Sequence, residues 1–382
     1  MKKIAVLGST GSVGRQALEV AARRSDILKV EMLSCGSNIH LLCEQIERFR
    51  PAAACIADDS ARARINTEKY AGTRFYFGQQ AQADYLRQGD YDTVLAASSG
   101  LSAVRAVHCA LARKKTVALA AKEVLSLAGK LTMELARHTG AEIIPVDSEH
   151  SALWQCIKTG GRGELKNAVI TASGGAFRDL PAGALSAVTP EQALAHPTWS
   201  MGKKITVDSA TLVNKGLEVI EACHLFGLDE KNVITVLHPQ SVVHAMAEFS
   251  DGSFLAHLGP ASMELPIQYA LLGGERRPCA AQPLDIAALG SLSFSEIDHA
   301  RFPGLQLCRS AYRAGDSHCA ALTAADDVLV DAFLKGSIKF TDIPYYIERV
   351  LSGWSRPNQK SVEEAEQLYK EAEAITHALI NK

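Results

Sequence analysis

Two carboxylates stand close together in PVDSEH, residues 145–150, where Asp147 and Glu149 flank Ser148. They follow AEIIP, an apolar run that reads as a short buried strand. Acids at a strand end either make a solvated turn or hold a cation or substrate, and the hexapeptide alone leaves both open. A second cluster lies in DSATLVNKGLE, residues 208–218. Asn214 and Glu218 are four residues apart and Lys215 and Glu218 three, so a helix sets all three on one face. Asp208 or Ser209 is expected to cap that helix, and Leu212, Val213, Leu217 and Ile220 to fill its core side. Taken alone, Lys215 with Glu218 is the pattern of a surface ion pair. A face of Ser, Asn, Lys and Glu also suits a phosphate beside a metal ion: the Lys offers charge, the Ser and Asn hydrogen bonds.

GSTGSVG, residues 8–14, follows the first apolar run and opens a helix-like stretch. Gly8, Gly11 and Gly14 in that context let backbone N–H groups approach a dinucleotide phosphate at a helix N-terminus. A glycine-rich turn without ligand is the plainer alternative. The second strand runs out at Cys35-Gly36-Ser37-Asn38, with no acid to bind a ribose 2′-hydroxyl. That leans toward NADP, although no Arg or Lys stands there. ITASGGAF (170–177) ends a strand in Ser173-Gly174-Gly175, which either turns the chain or brings backbone and hydroxyl to an anion. HPTWSMG (196–202) carries His196, Trp199 and Met201, and is either a loop tucked into the core or a lid that excludes water. His108, His138, His224, His244, His257 and His318 lack partners at metal-ligand spacing and read as ordinary histidines.

These groups need a scaffold. Residues 1–149 alternate apolar runs (3–8, 29–35, 52–58, 93–98, 115–120, 141–146) with helix-like stretches. The alternation predicts a Rossmann-like, doubly wound parallel sheet. An α+β catalytic segment is expected over 150–273, with strands at 167–173, 232–238, 244–250 and 253–259 and a hairpin turn at Asp251-Gly252. A linker over 274–299 then leads to a small helical bundle over 300–382, with helices at 305–314, 318–335, 341–352 and 361–380. The net charge of −2 leaves no broad electrostatic footprint for nucleic acid or an anionic membrane. Nine cysteines with no C-x-x-C suggest a reducing compartment, and no apolar window approaches a membrane span, so a cytoplasmic protein is expected.

GSTGSVG, the Lys122-Glu123 pair of ALAAKEVL, PVDSEH, TASGGAF, HPTWSMGKKITVDSATLVNKGLE, HPQSVVH and FTDI together resemble the 1-deoxy-D-xylulose 5-phosphate reductoisomerase family over essentially the whole chain. Block 196–218 is highly specific. The resemblance implies that Asp147, Glu149 and Glu218 bind Mg²⁺ or Mn²⁺, with Co²⁺ as a further candidate. It implies that NADPH is the cofactor and that the substrate is a small ketose phosphate. That substrate rearranges through a retro-aldol/aldol sequence to an aldehyde, which hydride reduces to 2-C-methyl-D-erythritol 4-phosphate. Ser173, Ser209, Asn214 and Lys215 are then expected at the phosphate and nearby hydroxyls. His196 and Ser148 should contact substrate, and Lys122 should lie near substrate and metal oxygens. Trp199 and Met201 should belong to a closing loop. Thr10, Gly11, Ser12, Val13, Gly36, Ser37, Asn38, Glu123 and Gly202 should line the cofactor site, and the enzyme should be a homodimer.

Three positions depart from the family pattern. Ala121 stands where Asn is common, Ser37 where Lys or Arg is frequent, and SSGLSA (98–103) keeps Gly100 but has Ala103 for a second glycine. None touches the metal set, so altered cofactor affinity with intact chemistry is expected. Two rival readings are an NAD(P)-dependent oxidoreductase acting on another phosphorylated polyol, and a cofactor-binding regulatory protein that has lost catalysis.

Overall fold

The computed structural model describes residues 1–98 and 100–381, so Ser99, within the SSGLSA segment, lies outside the described residues. In chain order come β1 (Lys2–Leu7), α1 (Ser12–Arg23), β2 (Leu28–Cys35), α2 (Ile39–Phe49), β3 (Ala53–Ile56), β4 (Arg74–Phe77) and α3 (Ala81–Gln88). Then follow β5 (Thr93–Ala96), α4 (Leu101–Ala112), β6 (Thr116–Leu119), α5 (Glu123–Thr139), β7 (Ile143–Pro145) and α6 (Ser148–Gly160). Next are β8 (Leu165–Ala172), α7 (Pro190–Leu194), α8 (Lys203–Thr211), α9 (Val213–Phe226), β9 (Val233–Leu237), β10 (Val243–Phe249) and β11 (Phe254–Leu258). The remainder is helical: α10 (Glu264–Leu271), α11 (Ile286–Leu289), α12 (Gly304–Ala314), α13 (Asp316–Leu334), α14 (Asp342–Ser352) and α15 (Val362–Ile380). No helix among the described residues is long and apolar enough to cross a membrane.

The described chain divides into two compact units. The first comprises Met1–Val124, Thr132–Ser151 and Met263–Ala281. Its sheet has the order β4-β3-β2-β1-β5-β6-β7, and every pair is parallel. The interior of such a sheet is covered on both faces, and all four residues of β3 and of β5 are buried. β1 pairs with both β2 and β5, with Ile4 opposite Val30 on one side and Thr93 on the other. The strand order reverses there, and the crevice at the carboxyl ends of such strands is where doubly wound sheets bind ligands. β4 is a strand that the sequence pattern does not reveal. Its residues Arg74, Phe75, Tyr76 and Phe77 are exposed or half-buried, as an edge strand allows. Residues 263–273, expected in the α+β segment, belong elsewhere. Met263–Ala281 packs with the first unit, where Arg23 of α1 pairs with Glu264 of α10 at 2.7 Å.

The second unit comprises Leu125–Leu131, Ala152–Ser262 and Gln282–Lys382. Its sheet runs β11-β10-β8-β9, with β8 and β9 parallel and the other pairs antiparallel. The hairpin expected at Asp251-Gly252 joins β10 to β11, with Gly252 at φ +85°. The C-terminal helices fall within two residues of their expected bounds. α13 is buried on nearly every side, including Leu322, Leu329 and Phe333, so cutting Leu329 back to Ala should cost about 2–5 kcal/mol.

The helix expected to start near Asp208 differs. α8 begins at Lys203 behind Gly202, which leaves Asp208 and Ser209 inside the helix and not at its cap. It breaks at Leu212, which adopts φ +61°, ψ 12° between α8 and α9. The side chains expected on the core side, Leu212, Val213, Leu217 and Ile220, are all buried.

Candidate active site

In the first unit, the turn between β1 and α1 is shaped by contacts that only glycine permits. Gly8 has φ +70°, and a Cβ there would lie 2.5 Å from the Ala97 carbonyl oxygen; one on Gly14 would lie 2.2 Å from the Gly8 oxygen. Buried polar groups hold the turn from below. The Gly8 N–H donates to Ser34 Oγ at 2.9 Å and Gln82 Nε2 to the same oxygen at 3.0 Å. The Ser9 hydroxyl donates to Gln45 Oε1 at 2.7 Å, and Gln45 Nε2 to the Ser9 carbonyl at 2.9 Å. Gly11 is the N-cap of α1 and contributes no side-chain hydrogen bond. The first N–H groups of the helix are thereby left to an anion. Thr10, Ser12 and Val13 are half-buried around this turn, and Gly11 is exposed.

Past β2, Gly36 and Ser37 are exposed. Asn38 caps α2, its Oδ1 accepting from the Leu41 N–H at 3.2 Å, which leaves its NH₂ to donate elsewhere. Gly100 is the N-cap of α4 at φ +78°, and Ala103 is fully buried on that helix.

Lys122 and Asp147 stand at the ends of neighbouring paths off β6 and β7. The N–H groups of Ala120 and Ala121 both donate to the Ala96 carbonyl, at 3.0 and 2.9 Å, and this fixes the chain that leads to Lys122. Ala121 is buried, and Glu123 opens α5 half-buried. Lys122 Nζ donates to Asp147 Oδ2, with side-chain exposures of only 10% and 13%. His150 Nδ1 lies 3.6 Å from the same oxygen. Burial pushes the Asp147 carboxyl up, but Lys122 and His150 outweigh it and hold the group well below the usual carboxylate range. The Asp147 carbonyl accepts from Ser151 N–H at 2.8 Å, so Asp147, Ser148 and Glu149 form the entry to α6. The Ser148 hydroxyl donates to Glu149 Oε2 at 2.5 Å. PVDSEH is therefore no solvated turn: Ser148 is buried and both acids are half-buried.

In the second unit, β8 delivers Ser173 to the Gly174-Gly175 turn. Both glycines have positive φ, +87° and +67°, and a Cβ on Gly175 would meet the Ser209 carbonyl oxygen at 2.6 Å. The turn thus lies directly against α8 at Ser209. Ser173 Oγ is 3.0 Å from His196 Nε2. His196 Nδ1 accepts from the N–H groups of Thr198 and Trp199 at 3.1 and 2.9 Å. A ring nitrogen that accepts carries no proton, so Nε2 bears it and donates to Ser173. Burial, then the Arg178 charge, pushes the imidazole pKa down and favours this neutral form. Ser173 Oγ also takes the Gly175 N–H at 3.4 Å, so it accepts twice within the protein. Arg178 Nη1 holds the Ser173 carbonyl at 2.9 Å; sequence reading missed this residue, whose only signal is its place just past the glycine pair.

On α9, Asn214 Nδ2 donates to Glu218 Oε1 at 2.6 Å, and Lys215 Nζ donates to Glu218 Oε2. Lys215 and Glu218 are 3% and 1% exposed, which rules out the surface ion-pair reading. The break at Leu212 sets Asn214 and Lys215 in the first turn of α9, where N–H groups and a cation together suit a phosphate. Trp199 and Met201 are half-buried on the segment leading to Gly202, the exposed N-cap of α8, and the Trp199 ring lies 6.1 Å from that of His244. His238 of HPQSVVH is structural: Nδ1 donates to the Ser293 carbonyl at 2.8 Å and Nε2 accepts two backbone N–H groups.

Family models for 1-deoxy-D-xylulose 5-phosphate reductoisomerase match residues 4–129, and those for its C-terminal domains match 143–226 and 258–375. A 1-deoxy-D-xylulose 5-phosphate reductoisomerase from Moorella thermoacetica is 50% identical over 352 residues, covering 92% of this chain and 91% of its own. Among solved structures, the Zymomonas mobilis reductoisomerase in complex with NADPH has TM-score 0.91 and 35% identity, covering 99% of both chains. A DOX-P reductoisomerase in complex with NADPH, fosmidomycin and magnesium has TM-score 0.93 and 34% identity, covering 100% of this chain and 98% of the other.

Proposed function

Because the chain belongs to the 1-deoxy-D-xylulose 5-phosphate reductoisomerase family, we propose that it converts 1-deoxy-D-xylulose 5-phosphate to 2-C-methyl-D-erythritol 4-phosphate in non-mevalonate isoprenoid biosynthesis, using NADPH and a divalent cation. The observation that carries the reading is Glu218, a nearly buried carboxylate gripped by Asn214 and Lys215.

Asp147, Glu149 and Glu218 are the residues to hold the cation. Their donors are all carboxylate oxygens, which suits Mg²⁺ or Mn²⁺. Asp147 is kept ionised by Lys122 despite its burial. The cation supplies Lewis-acid polarisation of neighbouring substrate oxygens, and NADPH supplies the hydride. Ser173 offers its free hydroxyl proton, Lys215 its charge, and Ser209 and Asn214 further hydrogen bonds to the substrate phosphate. His196, fixed as the Nε2–H tautomer, orients Ser173 and contacts substrate through its ring edge. Lys122 steadies Asp147 and lies ready to donate to a substrate oxygen. Ser148 fixes the Glu149 carboxylate and contacts substrate beside it. Trp199 and Met201 close over the reactants and exclude water.

NADPH fits the β1–α1 turn. Its pyrophosphate takes the uncapped N–H groups at Gly11, Ser12 and Val13, with Thr10 alongside. Gly36, Ser37 and Asn38 receive the ribose end, beside Asp58, whose N–H donates to the Gly36 carbonyl at 3.2 Å and whose carboxylate is paired with Arg64. Glu123 and Gly202 complete the cofactor lining. The protein is proposed as a cytoplasmic homodimer. Nine free thiols support a reducing compartment. Phe254, Leu255 and Leu258, exposed along the edge strand β11, support a paired face.

The test is consumption of reduced cofactor with 1-deoxy-D-xylulose 5-phosphate, run with NADPH or NADH, with Mg²⁺ or Mn²⁺, and after chelation. Metal-dependent NADPH oxidation is expected. A folded protein that oxidises neither cofactor under any combination would overturn the proposal. Light scattering should give twice the chain mass, and a monomer would remove the dimer.

A further inference from the structure

A cluster of buried charge lies beneath α8 that the chemistry above does not use. Lys204 Nζ is 2.8 Å from Asp208 Oδ2, one turn along the helix. It also pairs with Asp326 Oδ2 of α13 and lies 3.3 Å from Asp327 Oδ1. The side chains of Asp208 and Asp326 are 4% and 0% exposed. Their carboxyl groups lie within hydrogen-bond reach of each other, and the Oδ1 atoms of both are buried with no hydrogen-bond partner.

Three carboxyl groups here crowd one ammonium. Among the described residues, the other titratable groups acting at this cluster are Cys308 of α12, which meets Asp326, Asp208 and Lys204, and Tyr369 of α15, whose hydroxyl donates to Asp327 Oδ2 at 2.7 Å, with Glu373 beyond it. None of these three brings a second positive charge. Two buried carboxylates in contact cannot both ionise cheaply, and carboxyl pairs in such sites hold one proton between them. Burial is the largest influence and pushes both acids up; Asp326 and Asp327 push Asp208 the same way and Asp327 pushes Asp326, while Lys204 pulls both down and the hydrogen bond from Asp208 pulls Asp326 down, without cancelling the rise.

Asp208 directly precedes Ser209, and the Ser209 carbonyl is the atom against which the Ser173 turn is packed. The cluster therefore clamps α8, with Ser209 and through it Ser173, to α13 of the C-terminal helices. We infer that Asp208 and Asp326 share a single proton near neutral pH, and that this proton together with Lys204 positions Ser209 for the substrate phosphate. The positioning clause rests on the proposed function; the shared proton does not. Asp208, Asp326 and Lys204 are positioning residues and touch no reacting atom.

The proton and its consequence are read separately on the whole chain. Infrared spectra at about pH 7 should show the carbonyl band of a protonated carboxylic acid, absent from D326N, because the introduced amide then donates the hydrogen bond and Asp208 ionises. In the wild type, KM for 1-deoxy-D-xylulose 5-phosphate should rise about tenfold between about pH 7 and about pH 9.5, with kcat changing less than about twofold, as the shared proton leaves and the two charges repel. D326N should hold its KM within about twofold at both pH values, since a neutral amide keeps the hydrogen bond without the titration. D326A should raise KM at both.

A wild-type spectrum without the acid band would overturn the shared proton. Coincident KM profiles for wild type and D326N would overturn the positioning role, as would a D326N variant no better than D326A. A protein that shows the band and its loss in D326N, yet does not act on 1-deoxy-D-xylulose 5-phosphate, would sink the functional reading and the phosphate clause with it, while the shared proton stands.

Discussion

Ser173 Oγ and His196 Nε2 are 3.0 Å apart, and the direction of that hydrogen bond is fixed from the far side of the ring. Two backbone N–H groups donate to His196 Nδ1, so the proton sits on Nε2 and Ser173 is the acceptor. A serine that accepts twice from protein has a single thing left to offer, its own proton. A phosphate oxygen is a suitable recipient.

Replacing Ser173 by Ala removes that donor. A hydrogen bond to a charged group contributes about 1.5–3 kcal/mol, so KM for the ketose phosphate should rise roughly ten- to hundredfold, with kcat less affected. Steady-state kinetics at fixed saturating NADPH decide it; an unchanged KM would take Ser173 out of the phosphate contacts.

Glu218→Gln keeps the shape of the buried side chain and removes its charge. Losing even a partner behind a metal ligand costs about 10–100-fold, so loss of a ligand should lower turnover by more than about 100-fold. NADPH binding, followed by its fluorescence, should be unaltered, and chelation of the wild type should reproduce the defect. Full activity in the variant would remove Glu218 from the cation.

Ser37→Arg tests the cofactor end. One added charge-assisted contact to a 2′-phosphate should raise the ratio of kcat/KM for NADPH over NADH about tenfold. An unchanged ratio would place that phosphate away from the exit of β2.

His224 carries a prediction about pH. Burial against Gly129 and the Tyr312 ring, 5.5 Å away, lowers its pKa from 6.5 to about 4. Between these values the unfolded chain binds a proton that the folded one refuses. Its contribution is therefore complete above about pH 6.5 and is lost as pH falls toward about pH 4, by about 3 kcal/mol in all. His244, pushed to about 4 as well, adds a loss in the same window. His224→Phe should make the acid limb of urea-unfolding stability shallower by its own share. The same slope in both proteins would show that His224 is not the group responsible.

Much of the scaffold was legible because its determinants are local. Continuous apolar runs announced six of the seven parallel strands, and Asp251-Gly252 announced the hairpin. β4 was hidden because an edge strand of Arg and aromatics lacks the apolar run of a doubly covered one. Residue type and spacing singled out PVDSEH, TASGG and the Asn214, Lys215, Glu218 face but left a solvated turn, a plain glycine turn and a surface ion pair open for them; burial closes the first and the last. The grip of Lys122 on Asp147 and the meeting of Asp208 with Asp326 could not, because they join residues 25 and 118 positions apart and depend on how strands and helices stack. The break at Leu212 was equally silent: leucine is a good helix former, and nothing in its type foretells a left-handed backbone.

That joint also limits how far the protein can be improved. For backbone alone, Leu212 is the wrong residue, since a left-handed conformation strains an L side chain by about 1–2 kcal/mol and glycine would relax it. For packing it is the right one: its side chain is 3% exposed, and removing it would forfeit about 2–5 kcal/mol. The second quantity is the larger, so the strain stays locked in. Glycine, the residue that would relieve the backbone, is therefore expected to lower stability at position 212.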